Sequence, residues 1–310
     1  MPSWVIKAAI QGALSALPQP QRWNYVFQRH ISRGLRLSDA YFEGKLAICR
    51  QHLTHHHAHQ RRPPTRIVEL GTGWLPIVPI GLALSGPHEI LSVDINPLLR
   101  PQLIQETIAY FIHYADAGRL DEHLPHLDAQ RVAMLRPSLE QLQQGDVLRA
   151  LSLLHITPQI ADASSIALAD IDLIVSNSTL EHIPYDTIAS IFRNFRMLLK
   201  PHGIMSHLID LSDHYSQFDR TLTPYHFLRF PAAQWRYYNS SLHYQNRLRI
   251  ADYRQLHSEN GFHILHEDNR SAASALPDDL RLAPEFAHYS KDALLVTASW
   301  MVSRPNSAQT

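Results

Sequence analysis

The chain reads as an α/β protein built on a doubly wound, mostly parallel sheet of seven strands. Three observations predict this. From Thr65 onward, short apolar runs alternate with segments of helical periodicity. The runs 66–70, 89–94 and 171–176 are largely apolar without alternation, as strands buried on both faces are. The first run passes through Gly71 and Gly73 into another apolar segment, which is how a nucleotide-binding crevice begins.

The elements follow in order. Residues 3–17 and about 38–60 are expected to be helical. Ser38 and Asp39 can cap the second helix, and Phe42, Leu46, Cys49 and Leu53 recur on one face of it. Arg61-Arg62-Pro63-Pro64 ends this region, since proline cannot continue a helix. Residues 1–62 therefore read as an N-terminal helical lobe, 63–303 as the main domain and 304–310 as a flexible tail. Further strands are expected at 160–161, 203–209, 262–267 and 293–298, and helices at 76–85, 97–117, 186–199 and 250–260. Residues 97–155 and 210–249 are too long for plain connections. The first is expected to hold more than one helix, and the second to be an aromatic insertion.

Composition narrows the function classes. The chain has 310 residues, 45% hydrophobic and 18% charged, with a formal net charge of zero. No basic field is available to hold a polyanion, so no nucleic-acid partner is expected. A single cysteine, Cys49, excludes an internal disulfide and fits a reducing, cytoplasmic setting. No apolar run is long enough to span a bilayer, so no stable membrane insertion is expected. The first residues make a poor signal peptide, and an amphipathic helix packed on the protein is the preferred reading.

The loop Glu69-Leu70-Gly71-Thr72-Gly73-Trp74 carries the chemistry. Its glycines allow a tight turn and close approach of a ligand. Pro76 stands where a dinucleotide fingerprint has its third glycine, and Glu69 is a poor neighbour for a pyrophosphate. An acid there suits a ligand with a positively charged tail. A tight turn without ligand is the alternative. Asp94 ends the second strand, where a carboxylate can accept hydrogen bonds from ribose hydroxyls. Its other reading is a helix cap before Pro97.

At these residues the chain resembles the class I S-adenosylmethionine-dependent methyltransferases, which have a Rossmann-like fold. The resemblance covers roughly residues 65–300. VELGTGW resembles the family's acid-x-Gly-x-Gly loop, and Asp94 its ribose acid. Asp162-Ala163 resembles an acidic–small pair beside adenine. DLIVSNSTLEHIP followed by LLKPHG resembles the fourth strand, its loop and the turn into the fifth. Leu75 departs from the third glycine of many members. The resemblance implies S-adenosyl-L-methionine as cofactor. Glu69, Gly71, Thr72 and Gly73 would lie by its methionine part, Asp94 with adjacent Ile95 by the ribose, and Asp162 and Ala163 by adenine. Asn177 and Ser178 would line the site near the sulfonium.

Methyl transfer needs alignment more than a fixed catalytic motif. Glu181-His182 falls just after the fourth strand, on the expected acceptor side, and His182 is the candidate general base, with His214 as the second catalytic candidate. A packing or capping pair is the alternative for Glu181-His182. Some related O-methyltransferases bind a divalent metal through Glu-x-x-Glu-His. Here Ser178 holds the first position, so no metal is expected. In the insertion, Asp210, Tyr215, Tyr225, Tyr244 and Arg247 are candidates for contact with a small or medium organic acceptor, and oxygen is the first choice of target atom. The histidine run 52–59 reads as a solvated helix end. The competing readings are a nicotinamide-dependent oxidoreductase and a non-catalytic protein that keeps the fold for partner binding. Pro76 weighs against the first, as does the one Tyr-x-x-x-Lys match, Tyr41 to Lys45, which precedes the glycine loop. An intact loop weighs against the second.

Overall fold

The computed structural model describes residues 3–26, 29, 35–124 and 126–306. Seven strands form one mostly parallel sheet: β1 (Arg66–Leu70), β2 (Glu89–Asp94), β3 (Ile156–Ile160), β4 (Ile171–Asn177), β5 (Leu199–Asp210), β6 (Phe262–Ser271) and β7 (Val296–Pro305). Their order is β3-β2-β1-β4-β5-β7-β6. β1 pairs in parallel with β2 and with β4, and β2 with β3. The chain reverses direction across the sheet between β1 and β4, so the switch point where α/β sheets bind ligands lies where β1 ends. The expected α/β class is the observed one.

By its own contacts the chain divides into two units. One comprises residues 35–177, 193–206 and 304–310. Its core is built on Ile67, Val68, Ile90, Val93, Ile174 and Val175, all essentially inaccessible. Unbroken apolar runs are what a sheet covered on both faces requires. Helix Asp39–His59, capped by the Ser38 hydroxyl, lays Phe42, Leu46 and Cys49 inward, as its periodicity predicts. Phe42 meets Phe111 and Tyr114 of helix Pro101–Asp116, each at 4.8 Å between ring centroids. Among the described residues the stretch 97–155 holds five helices, from Pro101–Asp116 to Val147–Leu153.

The other unit comprises residues 1–34, 178–192 and 207–303. Its apolar cluster gathers Trp4, Tyr215, Tyr225, Phe227, Phe230, Trp235 and Phe286. Trp4, from helix Ser3–Ser15, donates its backbone N–H to Asp219 and sits 4.9 Å from Tyr238 and 5.0 Å from His226, centroid to centroid. The amphipathic N-terminal helix thus packs on the aromatic insertion. No described helix is long and apolar enough to cross a membrane.

Several elements differ from expectation. β3 occupies 156–160 rather than 160–161. It is an edge strand with one buried residue, Ile156, and Pro158 in its middle, so it lacks the apolar run that marks an inner strand. β7 starts at Val296 because Ser290 caps a short helix, Lys291–Leu295, ahead of it. It runs to Pro305, into the stretch expected to be a tail, while residues 307–310 lie outside the described residues. His52, His55 and His56 are buried rather than solvated. His52 Nδ1 meets Ser206 Oγ at 2.9 Å, and His55 Nε2 meets Gln51 Nε2 at 2.9 Å.

Candidate functional site

The loop after β1 is set by its two glycines. Gly71 has φ 84° and Gly73 φ 69°, in the left-handed region that side chains with a Cβ disfavour. The Gly71 N–H donates to Val93 O at 2.7 Å, which ties the loop to β2. Among the described residues a Cβ on Gly73 would meet nothing within 4 Å. The Gly73 N–H donates to Asp94 Oδ2 at 3.0 Å, and the Asn96 N–H to Asp94 Oδ1 at 2.9 Å. Asp94 therefore closes the loop at the end of β2. Burial raises its pKa above the usual carboxylate value, against these backbone hydrogen bonds.

Glu69 lies beneath the loop and is 3% exposed. Its Oε2 accepts from Ser92 Oγ at 2.7 Å and from Thr72 Oγ1 at 2.9 Å, and the two hydroxyl oxygens lie in contact with one another. Burial pushes its pKa up to about 7, opposed by the Ser92 and Thr72 hydrogen bonds and reinforced by Asp94. The loop thus combines an open glycine backbone, a hydrogen-bonded acid at a strand end, and a buried carboxyl that titrates near neutrality. Perturbed carboxyls at a strand's C-terminal end are a mark of ligand sites.

The rest of the expected cofactor set lies as follows. Ile95, next to Asp94, is 70% exposed, an apolar face open to a ligand. Asp162 accepts from the Ser164 N–H at 2.9 Å and caps the short turn Ala163–Ser165. Ala163 is buried, and its carbonyl accepts from Asn194 Nδ2 at 2.9 Å. Asn177 ends β4. Ser178, exposed and at φ 50°, begins the second unit, its N–H donating to Leu208 O at 2.9 Å.

In that second unit the turn Leu180–His182 is held by Asn246. Its Nδ2 donates to Leu180 O and Ile183 O, each at 2.8 Å, and its N–H donates to Glu181 O at 2.9 Å. His182 Nδ1 stands 2.6 Å from Tyr244 O. A carbonyl can only accept, so Nδ1 carries the proton and Nε2 the lone pair. Desolvation, then the neighbouring His214 ring, lowers the His182 pKa, to about 4, although the residue keeps an exposed edge. That edge tempers the desolvation, and the imidazole is neutral and weakly basic at pH 7. The His182 and His214 rings lie 5.0 Å apart. Asp213, wholly buried, caps the helix that begins with His214 and also meets His226 Nδ1 at 3.1 Å. His214 Nε2 stands 3.5 Å from Asp210 Oδ2. Among the described residues, Glu181, His182 and His214 offer three potential ligand atoms within 4.8 Å of one another, a grouping that sequence spacing does not show because His214 lies on another element.

The remaining acceptor candidates separate by burial. Asp210 and Tyr244 are half-buried. Tyr215 and Tyr225 are each 1% exposed, and their hydroxyls donate to Tyr238 O at 2.6 Å and Leu295 O at 3.0 Å. Arg247 is buried, donates to Phe227 O at 3.0 Å and Phe230 O at 2.6 Å, and pairs with Glu285 at 3.2 Å. These three side chains build the interior of the aromatic insertion.

No protein-family model matches the chain, and no curated protein matches it in sequence. Solved structures do. Magnesium protoporphyrin IX methyltransferase from Synechocystis, with bound S-adenosylhomocysteine, aligns over 92% of this chain and 99% of its own, at 10% identity and TM-score 0.49. The CcbJ methyltransferase of Streptomyces caelestis aligns over 85% and 94%, at 12% identity and TM-score 0.44. A chain from Nostoc punctiforme, provisionally an O-methyltransferase, aligns over 83% of this chain at 14% identity and TM-score 0.43. The alignment spans 56% of that chain's length. These are distant likenesses of fold.

Proposed function

We propose that the chain is a class I S-adenosylmethionine-dependent methyltransferase acting on a small or medium organic acceptor, with oxygen as the preferred target atom. The observation that carries this is the closed loop in which the Gly73 N–H meets the Asp94 carboxylate above the buried Glu69.

The residues fit the cofactor by their donor set. Open backbone at Gly73 accommodates a ligand that a side chain would exclude. Asp94 receives two backbone N–H groups and, as a carboxylate, keeps further lone pairs for ribose hydroxyls. The exposed Ile95 offers apolar surface to a base. Glu69, with a pKa of about 7, is ionised when a cation approaches and complements an α-ammonium group. A pyrophosphate would oppose that charge, which disfavours the nicotinamide reading. Bound S-adenosylmethionine supplies a methyl group already activated on a sulfonium. The chain's own part is to hold, orient and desolvate. On the acceptor side we assign His182, His214, Asp210 and Tyr244, which keep accessible surface, as the groups that contact the acceptor.

The test is a calorimetric titration with S-adenosylhomocysteine. One equivalent is expected to bind, and Gly71→Arg is expected to abolish binding while the protein stays folded. Unchanged affinity in that variant contradicts the reading.

A further inference from the structure

We propose that Glu181, His182 and His214 form a binding site for one divalent first-row transition-metal ion. The donors belong to two elements, the turn Leu180–His182 and the first residue of the helix His214–Phe218, and they converge in space. Two imidazoles with one carboxylate suit ions such as zinc, manganese or iron(II), whereas magnesium and calcium prefer all-oxygen sites.

Three features favour a site over a chance cluster. First, the ligand atoms lie within 4.8 Å of one another. Donors sharing a zinc-sized ion sit about 3.0–3.5 Å apart, a closure within reach of side-chain torsions. Secondly, the hydrogen bond from His182 Nδ1 to Tyr244 O fixes the tautomer that leaves Nε2 free to ligate, the arrangement metal-binding histidines use. Thirdly, both elements are clamped. Asn246 holds the turn through two carbonyls, and buried Asp213 caps the helix of His214. Asp210, 3.5 Å from His214 Nε2, is a carboxylate placed to orient that ring.

Three protein ligands leave coordination positions open, as catalytic rather than structural sites do. What fills them rests on the methyltransferase reading. The ion takes the acceptor's oxygen and acidifies its hydroxyl, whose proton leaves to solvent. His182 then acts as a ligand through Nε2 rather than as a proton acceptor.

The test uses the full chain after dialysis against a chelator, titrated with zinc and, separately, with manganese and magnesium. One equivalent of zinc or manganese is expected to bind, with magnesium much weaker. Glu181→Gln and His214→Ala are each expected to weaken zinc binding by about 100-fold or more. Asp210→Asn, which leaves the three ligands in place, is expected to weaken it by about 10–100-fold. S-adenosylhomocysteine titration of the same samples reports folding and the separate cofactor reading. Should a variant fail to bind S-adenosylhomocysteine and unfold, His214→Gln replaces it. Absence of zinc and manganese binding in wild type, or binding untouched by every substitution, overturns the metal site even if S-adenosylhomocysteine binds. Metal binding without S-adenosylhomocysteine binding leaves the site standing and overturns the methyltransferase reading instead.

Discussion

The Gly73 backbone N–H donates to Asp94 Oδ2 at 3.0 Å, bridging two residues 21 apart in sequence. A left-handed glycine and a strand-end acid thereby become one structure. Asp94→Ala removes the acceptor for both Gly73 and Asn96 as well as the carboxylate proposed to hold ribose. The expected cost is about 1–3 kcal/mol of stability and about 10–100-fold in S-adenosylhomocysteine affinity. Urea unfolding and calorimetry read the two separately.

Glu69 predicts a pH dependence. In the folded protein its pKa is raised to about 7, above the ordinary 4.5. Between those values the native state holds a proton that the unfolded chain releases. This group's contribution to stability is therefore fully present below about 4.5 and is lost as pH rises through about 7. Ligand binding should respond in the opposite sense. An α-ammonium group favours the carboxylate, so S-adenosylhomocysteine affinity is expected to rise with pH, by at most about tenfold per unit, and to level off above about 7. Glu69→Gln is expected to flatten the profile between pH 5.5 and 8. A slope that survives the substitution excludes Glu69 as its source.

Gly81 is expected to be intolerant for a reason of space. A Cβ there would lie 2.8 Å from Cys49 Sγ, where helix Ile77–Ala83 meets helix Asp39–His59. Gly81→Ala should destabilise by about 1–3 kcal/mol through overpacking. Cys49→Ala in the same chain should recover part of that loss, which a double-mutant cycle measures. Additive effects would contradict the contact.

How much of this was legible in the sequence follows from where each signal originates. Unbroken apolar runs mark β1, β2 and β4 because both their faces are covered, and their positions were readable to within a residue. Edge strand β3 is wet on most positions, so its pattern points nowhere in particular. Asp94 was readable because strand end and acid coincide. The close-packing glycine was not: the fingerprint directs attention to position 76, whereas the contact is made at Gly81 against a helix that precedes the sheet. His52, His55 and His56 read as solvated because polar side chains in a row resemble a surface, and only the fold reveals the partner Ser206. His214 is separated from Glu181 and His182 by the helix Tyr185–Leu198 and β5, and no local pattern encodes that approach.

Arg247 separates packing from recognition. Buried, bonded to Phe227 O and Phe230 O and paired with Glu285, it holds the aromatic insertion together. Arg247→Ala removes the side-chain donor to Phe227 O and Phe230 O and the partner of Glu285, which is a third exposed, so about 1–3 kcal/mol of stability should be lost. S-adenosylhomocysteine affinity of the protein that remains folded should change little. Loss of acceptor affinity at unchanged stability would instead place Arg247 in contact with the acceptor.

The most direct test of the central claim is one calorimetric comparison, in which the full chain is titrated with S-adenosylhomocysteine and, separately, with NADH. The account predicts saturable one-to-one binding of S-adenosylhomocysteine, strongly weakened in Asp94→Ala, and no heat of binding with NADH. Folded protein that ignores S-adenosylhomocysteine, or that binds NADH in its place, would contradict it.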